Sequence, residues 1–398
     1  MTHSILLAAV AVTALGQTLV FTLLPSLGRA AGLAEIQVGL IISCSALLFA
    51  LASPVWGAMS DSLGRRRVLI IGLSGYAAGT LLFTLVFDAG MRGVLGGALL
   101  VSALVLSRCL QASIMAATPA AAAAYTADIT TIYHRTRGMS RISAANSLGT
   151  IIGPVTGGVL AAVALVFPLY LVAAVTASML LWVIIALPPS PQVLQPRTVS
   201  IPQVIKRSLA GYGDPRFRDL LAAGVAFFLC FALIQQTLGF LYQDYFAMSP
   251  TDAARALGVT MMVAALTSLS AQLLVVNLLR APARLLLIMA IPAMFISALL
   301  LWQGESRMAI NLAVVFMGVS LGFAMPAVMS LASLRVGPEE QGKVAGLASA
   351  CPALGFILGP LLGTGLYTLG PRLPYLLVVL LMVPLAVLVW TRVVKGSS

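Results

Sequence analysis

"GAMSDSLGRRRVLI", residues 57–70, is a charged knot between two apolar stretches. It places one Asp and three consecutive Arg in a chain of 398 residues that is 60% hydrophobic and only 9% charged. Soluble domains carry about 25% charged residues, so this chain lacks the polar surface that water requires. Apolar runs of about 20 residues recur along it, the length that crosses a hydrocarbon layer ~30 Å thick at 1.5 Å per helical residue. The knot therefore reads as a short loop between two membrane spans, and the fold class as all-α integral membrane.

Hydropathy predicts twelve transmembrane helices, near residues 4–27, 36–59, 67–87, 93–118, 142–164, 167–187, 219–243, 256–279, 284–303, 308–333, 343–368 and 373–392. The alanine run up to Tyr125 extends the fourth span past the membrane, since alanine is the best helix former. Ser4–Leu24 lacks a basic flank and is longer than a signal-peptide core, so it counts as a span. Orientation follows from charge. With both termini in the cytoplasm, only Arg29, Arg92, Arg255, Arg307 and Arg372 of the 23 Lys and Arg fall outside, and Arg108 falls within a span. That asymmetry is the positive-inside pattern, and it accounts for the net charge of +12 without nucleic acid.

One long polar connection divides the chain into a six-helix bundle (1–187), a cytoplasmic central loop (188–218) and a second six-helix bundle (219–398). Ile201, Val204, Ile205 and Leu209 beside Lys206 and Arg207 suit either an interfacial amphipathic helix or a disordered linker. Internal repeats support the division: "GQTLVF" (16–21) returns as "QQTLGF" (235–240), and "SAANSLGTIIGPVTGGVL" (143–160) as "SACPALGFILGPLLGTGL" (349–366). Two pseudo-symmetric bundles around a central cavity are a transporter architecture.

Chemistry of other kinds finds little support. Cys44, Cys109, Cys230 and Cys351 sit in apolar spans without paired or metal-like spacing, and His3 and His134 are isolated. No cofactor, metal or enzymatic site is expected. The expected partners are a small-molecule substrate, protons and the lipid bilayer, with the chain acting as a monomer.

Four motifs carry the functional reading. Gly57, Asp61, Gly64, Arg65 and Arg66 form a G-x-x-x-D-x-x-G-R-R pattern: Gly57 allows close helix approach, Gly64 a tight turn, and Asp61 can pair with Arg. Gly149, Gly153 and Gly157 recur every four residues beside Pro154 and Gly158, giving a flat helix face and a bend. Arg108 and Gln111 stand in "RCLQAS", with Arg108 roughly 22 Å into its helix, where a guanidinium needs water, acceptors or an anion. Asp128, Arg135, Arg137 and Gly138 follow the fourth span. In these motifs the chain resembles the major facilitator superfamily, and within it the twelve-span drug:proton antiporters that include tetracycline exporters. The resemblance implies that Gly57, Asp61, Gly64, Arg65, Arg66, Asp128 and Arg137 form a cytoplasmic latch, and that Gly149, Gly153, Pro154, Gly157 and Gly158 are the antiporter motif of exporters. It also implies proton coupling, with Asp61, Asp128 and Asp244 as the groups that titrate.

Two departures matter. The second-half counterpart of the first motif puts Val276 opposite Gly57, Arg280 opposite Asp61 and Arg284 opposite Arg65, so a latch should be asymmetric; Glu339, Glu340 and Lys343 lie before the eleventh span. Tetracycline-type exporters carry an acid in span 1, where this chain has Gly16 and Gln17. Its 11 acids all fall in loops or at span ends. The expected substrate is therefore a neutral or anionic organic molecule, such as an antibiotic or siderophore, held by Arg108 with Gln17, Gln111, Asn146, Gln235 and Gln236. The expected role is export across a bacterial-type inner membrane by alternating access. Uptake or lysolipid flipping on the same fold, or ligand sensing, are the alternatives.

Overall fold

The computed structural model describes residues 2–130, 134–189, 200–274, 281–337, 340, 344, 346–348 and 350–394. They form helices α1 (Thr2–Ala30), α2 (Glu35–Leu63), α3 (Arg65–Met91), α4 (Gly97–Met115), α5 (Ala117–Asp128), α6 (Arg135–Leu160) and α7 (Phe167–Ala186). After a short α8 (Ile201–Ala210) come α9 (Arg218–Tyr245), α10 (Pro250–Ala271), α11 (Ala283–Gln303), α12 (Arg307–Ser333), α13 (Cys351–Leu369) and α14 (Leu373–Val389). No strand occurs among the described residues.

Eleven helical stretches among the described residues are long and apolar enough to cross a membrane, with α4 and α5 joined as one stretch of 32 residues. The remaining expected span is α6, a helix of 26 residues that falls outside that set. Its physical reason is in the sequence: the small and polar residues that flatten one face of "SAANSLGTIIGPVTGG" also lower its hydropathy. The predicted extension of the fourth span past the membrane is α5, set off from α4 at Ala116.

The chain divides into two compact units, Met1–Lys206 with Met248–Gly258, and Arg207–Ala247 with Val259–Ser398. In the first, α1 packs on α6, and α3 packs on α4, α5 and α7. In the second, α9 packs on α13 and α11 on α12. Each unit uses the same device at its closest pair. A Cβ at Gly149 would stand 2.3 Å from the Ala11 carbonyl oxygen, and one at Gly153 would stand 2.4 Å from that of Leu15. On α13, Gly355, Gly359 and Gly363 press on the α9 backbone, with Cβ distances of 2.6 Å to Leu229 N, 2.8 Å to Leu229 O and 3.1 Å to Leu233 O. Absent side chains let two backbones meet, which is how membrane helices gain packing without a hydrophobic driving force.

Of the central connection, residues 190–199 lie outside those described. The following stretch is helical, as the spacing of Ile201, Val204 and Ile205 allows. Beyond it, the Tyr212 hydroxyl donates to the Leu347 carbonyl at 2.9 Å, and burial pushes this phenol above its ordinary value, so it remains a donor. Arg216 bridges Asp214 at 2.8 Å and Glu340 at 2.7 Å.

Candidate functional site

Two polar clusters stand out in the first unit. One grows from the charged knot. Gly64, at φ +90°, separates α2 from α3 and turns the chain back, so Arg65 begins α3 beside the end of α2. There Arg65 Nη1 donates to Ser60 Oγ at 2.7 Å and to Asp61 Oδ1, while Nε donates to Asp128 Oδ2 at 2.9 Å. Arg65 is only 8% exposed; the Asp128 side chain is 13% exposed and that of Asp61 51%. The inner pair thus works at lower dielectric and is screened less than the outer one.

Arg66 points elsewhere. Its Nη2 donates to the Ile184 carbonyl at 2.6 Å, and the Tyr125 hydroxyl donates to the Pro188 carbonyl at 2.9 Å. Together they satisfy carbonyls at the end of α7, which a helix leaves without internal partners.

The structure brings only some of the residues expected in this cluster into contact. Asp61, Gly64, Arg65 and Asp128 are brought together. Gly57 is not used for close approach among the described residues: nothing lies within 4 Å of a Cβ placed there. Arg137 is exposed and makes no ion pair among the described residues. The side chain of Arg135, and residues Val276, Arg280, Glu339 and Lys343, lie outside the described part. Arg284 is exposed, and Glu340 pairs with Arg216.

The second cluster lies inside the first unit, where α1, α3 and α4 meet. Arg108 is 1% exposed, and its Nη1 donates to the Gln111 carboxamide oxygen one turn on. Gln111 Nε2 donates to Thr80 Oγ1 at 2.5 Å, and Thr80 in turn donates to the Tyr76 carbonyl at 2.6 Å. Phe21 and Phe83 flank the guanidinium, their ring centroids 5.7 and 5.6 Å from Cζ. Both distances suit cation–π contact. The Tyr76 hydroxyl lies over Gly16, 2.2 Å from where a Cβ would start. Gly79 makes similar room for Gln111, whose Cβ would be 2.7 Å away. Gly16 is thus occupied space, not a vacancy for an acid.

Arg108 and Gln111 are adjacent as read from the sequence, but the other polar candidates are scattered. Gln17 is half-buried on α1, and Asn146 on α6 is exposed. Gln235 and Gln236 are buried on α9 in the second unit. There Asp244 is exposed and accepts from the Tyr367 hydroxyl at 2.8 Å. Sequence reading missed Tyr76, Thr80, Phe83 and Phe21. Tyr76, Gly79, Thr80 and Phe83 do fall at i, i+3, i+4 and i+7, one face of a helix, but that face has no charge to distinguish it from ordinary core.

On the glycine face of α6, Gly149 and Gly153 press on α1, Gly157 approaches Leu19, and Gly158 faces α10, where a Cβ would be 3.1 Å from the Ala254 carbonyl and 3.2 Å from Gly258 Cα. A family model described as Major Facilitator Superfamily matches residues 6–353 and 312–397. The chain belongs to the Major Facilitator Superfamily. It is accordingly a multi-pass membrane transporter of small molecules and not an enzyme. Among similar proteins is "Multidrug resistance protein 2" of Bacillus subtilis (strain 168), 28% identical over 94% of this chain and 90% of that protein. "Tetracycline resistance protein, class C" of Escherichia coli is 28% identical over 91% and 89%. Superfamily members of known structure share the fold. The nucleoside transporter NupG aligns with a TM-score of 0.76 at 15% identity, covering 99% of this chain and all of that one. The human organic anion transporter MFSD10 (TETRAN) aligns at 0.65 and 20%, covering 98% of each.

Proposed function

We propose that this member of the superfamily exports a small organic molecule, neutral or anionic, from the cytoplasm in exchange for protons. The relatives named for multidrug and tetracycline resistance support the direction and the breadth of substrate. The observation that carries the substrate reading is Arg108, a buried cation with no carboxylate paired to it among the described residues. A lipophilic cation would meet repulsion there, whereas a neutral or anionic molecule would not.

In this reading the halves 1–187 and 219–398, joined by 188–218, expose the site alternately to each side of an inner membrane, with both termini cytoplasmic. Arg108 and Gln111 hold the substrate, with Gln17, Asn146, Gln235 and Gln236 as further hydrogen-bonding groups. The Asp61–Arg65–Asp128 cluster biases one state, and protonation of Asp61, Asp128 or Asp244 couples the cycle to the pH gradient.

A deletion strain grown against toxic compounds and secreted metabolites would identify substrates, and counterflow in proteoliposomes would then measure carriage. Substrate moving outward with an imposed inward proton gradient is the expected result. Flux unaffected by that gradient excludes antiport, and flux unchanged in Arg108→Ala for every substrate found removes Arg108 from the site.

A further inference from the structure

The Arg108 cluster is electrically and chemically unfinished. Its one side-chain hydrogen bond reaches Gln111, and the Nε proton meets no acceptor among the described residues. The Tyr76 hydroxyl is also fully buried and without a partner there. Tyr76 and Arg108 are joined through Gln111, which accepts from Arg108 and donates to Thr80, one turn beyond Tyr76 on α3, so the unused donors belong to one neighbourhood. An unsatisfied buried donor is costly, and a buried guanidinium without counter-charge costs more. Arginine cannot lower that cost by losing its proton. Such an arrangement persists most readily where a ligand completes it.

The missing group can be described from what surrounds it. It must accept from two donors and carry one negative charge. A carboxylate does both, through two oxygens that match an Arg edge and a hydroxyl. A dianion such as a phosphonate would leave one charge unanswered in an apolar interior, and a halide would engage a single point. The walls add the rest. Phe21 and Phe83 lie buried against the guanidinium, and their aromatic faces suit an aromatic ring better than a branched chain. Gln111 already places an amide oxygen on Arg108, the position one carboxylate oxygen would take.

We propose that Tyr76 and Arg108 form a two-donor seat for the carboxylate of an aromatic monocarboxylic acid, with Phe21 and Phe83 against its ring and Gln111 yielding its place on the guanidinium. This narrows the substrate class of the site above and rests on Arg108 being part of that site. Tyr76 is the specific addition. Its hydroxyl has no hydrogen-bond partner among the described residues, so it is a donor kept in reserve for the ligand.

The test uses purified full-length protein in detergent, with 2-naphthoate as the probe and 2-naphthalenemethanol and 2-naphthylphosphonate as neutral and dianionic controls. Binding is read by titration calorimetry, and folding by thermal unfolding without ligand. The expected result is that 2-naphthoate binds and the controls bind at least tenfold more weakly. Tyr76→Phe should raise the naphthoate Kd about tenfold, equal to about 1.4 kcal/mol, while its ligand-free unfolding temperature does not fall. Naphthoate binding that Tyr76→Phe leaves unchanged would overturn the seat, because the hydroxyl would then serve only a trapped water. So would equal affinity for the alcohol. If naphthoate fails to bind while counterflow of another substrate still depends on Arg108, the seat is wrong and the wider reading of the site stands. If no substrate depends on Arg108, both fall.

Discussion

The Tyr76 hydroxyl occupies the space that a side chain on Gly16 would need: a Cβ there would lie 2.2 Å from it and 2.6 Å from Val172 Cγ1. The two positions are therefore coupled. Gly16→Ala should destabilise the protein by about 1–3 kcal/mol through overpacking. Combining it with Tyr76→Phe should recover part of that loss, since the nearest atom is removed. A double-mutant cycle on thermal unfolding checks the coupling, and strict additivity would show that Gly16 and Tyr76 are independent.

The glycine face of α6 predicts a gradient. At Gly153 an added methyl would meet the Leu15 carbonyl at 2.4 Å, and backbone cannot move aside cheaply. At Gly157 the nearest atom is Leu19 Cγ at 3.0 Å, on a side chain with some freedom. Gly153→Ala should cost about 1–3 kcal/mol and Gly157→Ala clearly less. The same order is expected on α13, with Gly355→Ala worse than Gly363→Ala. Unfolding temperatures of the four variants decide it.

Two carboxylates share Arg65, but not equally. Asp128 is largely buried and Asp61 is half-exposed. Asp128→Asn should cost about 3 kcal/mol, because it breaks the buried half of the pair. Asp61→Asn should cost under about 1 kcal/mol, as exposed ion pairs do, and that smaller loss should shrink further in 0.5 M salt. Chemical denaturation at two salt concentrations separates the two effects.

Arg66 and Tyr125 anchor the end of α7 through the carbonyls of Ile184 and Pro188. Arg66→Ala should therefore speed hydrogen exchange in the last turn of α7 while leaving the first turns of α3 protected. Equal exchange in Arg66→Ala and wild type would make Arg66 a topological charge only.

The fold was legible because membrane crossing depends on length and hydropathy, which need no partner to be read. Even α6, the least apolar of the long helices, was announced by its repeat on α13. The glycine faces were legible for a related reason: spacing of four residues is a local property, whatever the faces contact. Asp61, Arg65 and Asp128 were found because charges are rare here. Tyr76 and Phe83 were not, since an aromatic on a membrane helix has the same composition whether it faces lipid, core or ligand. Arg66 was assigned to a latch, yet its partner is a carbonyl, and no sequence pattern advertises a backbone acceptor 118 residues away. Gln17, Asn146, Gln235 and Gln236 share a chemistry with Gln111 but not its position, and only packing separates them.

In the proposed reading, a guanidinium that keeps its proton would make this carrier sensitive to voltage. The membrane potential acts on each elementary charge with about 2.3 kcal/mol per 100 mV. When a monoanion sits on Arg108, the pair is electrically neutral and its passage across the field is nearly free of that force. When the site is empty, the uncompensated positive charge would feel it in full. The half-cycle without cargo, more than the half-cycle with it, is then the step that a change in potential should accelerate or stall.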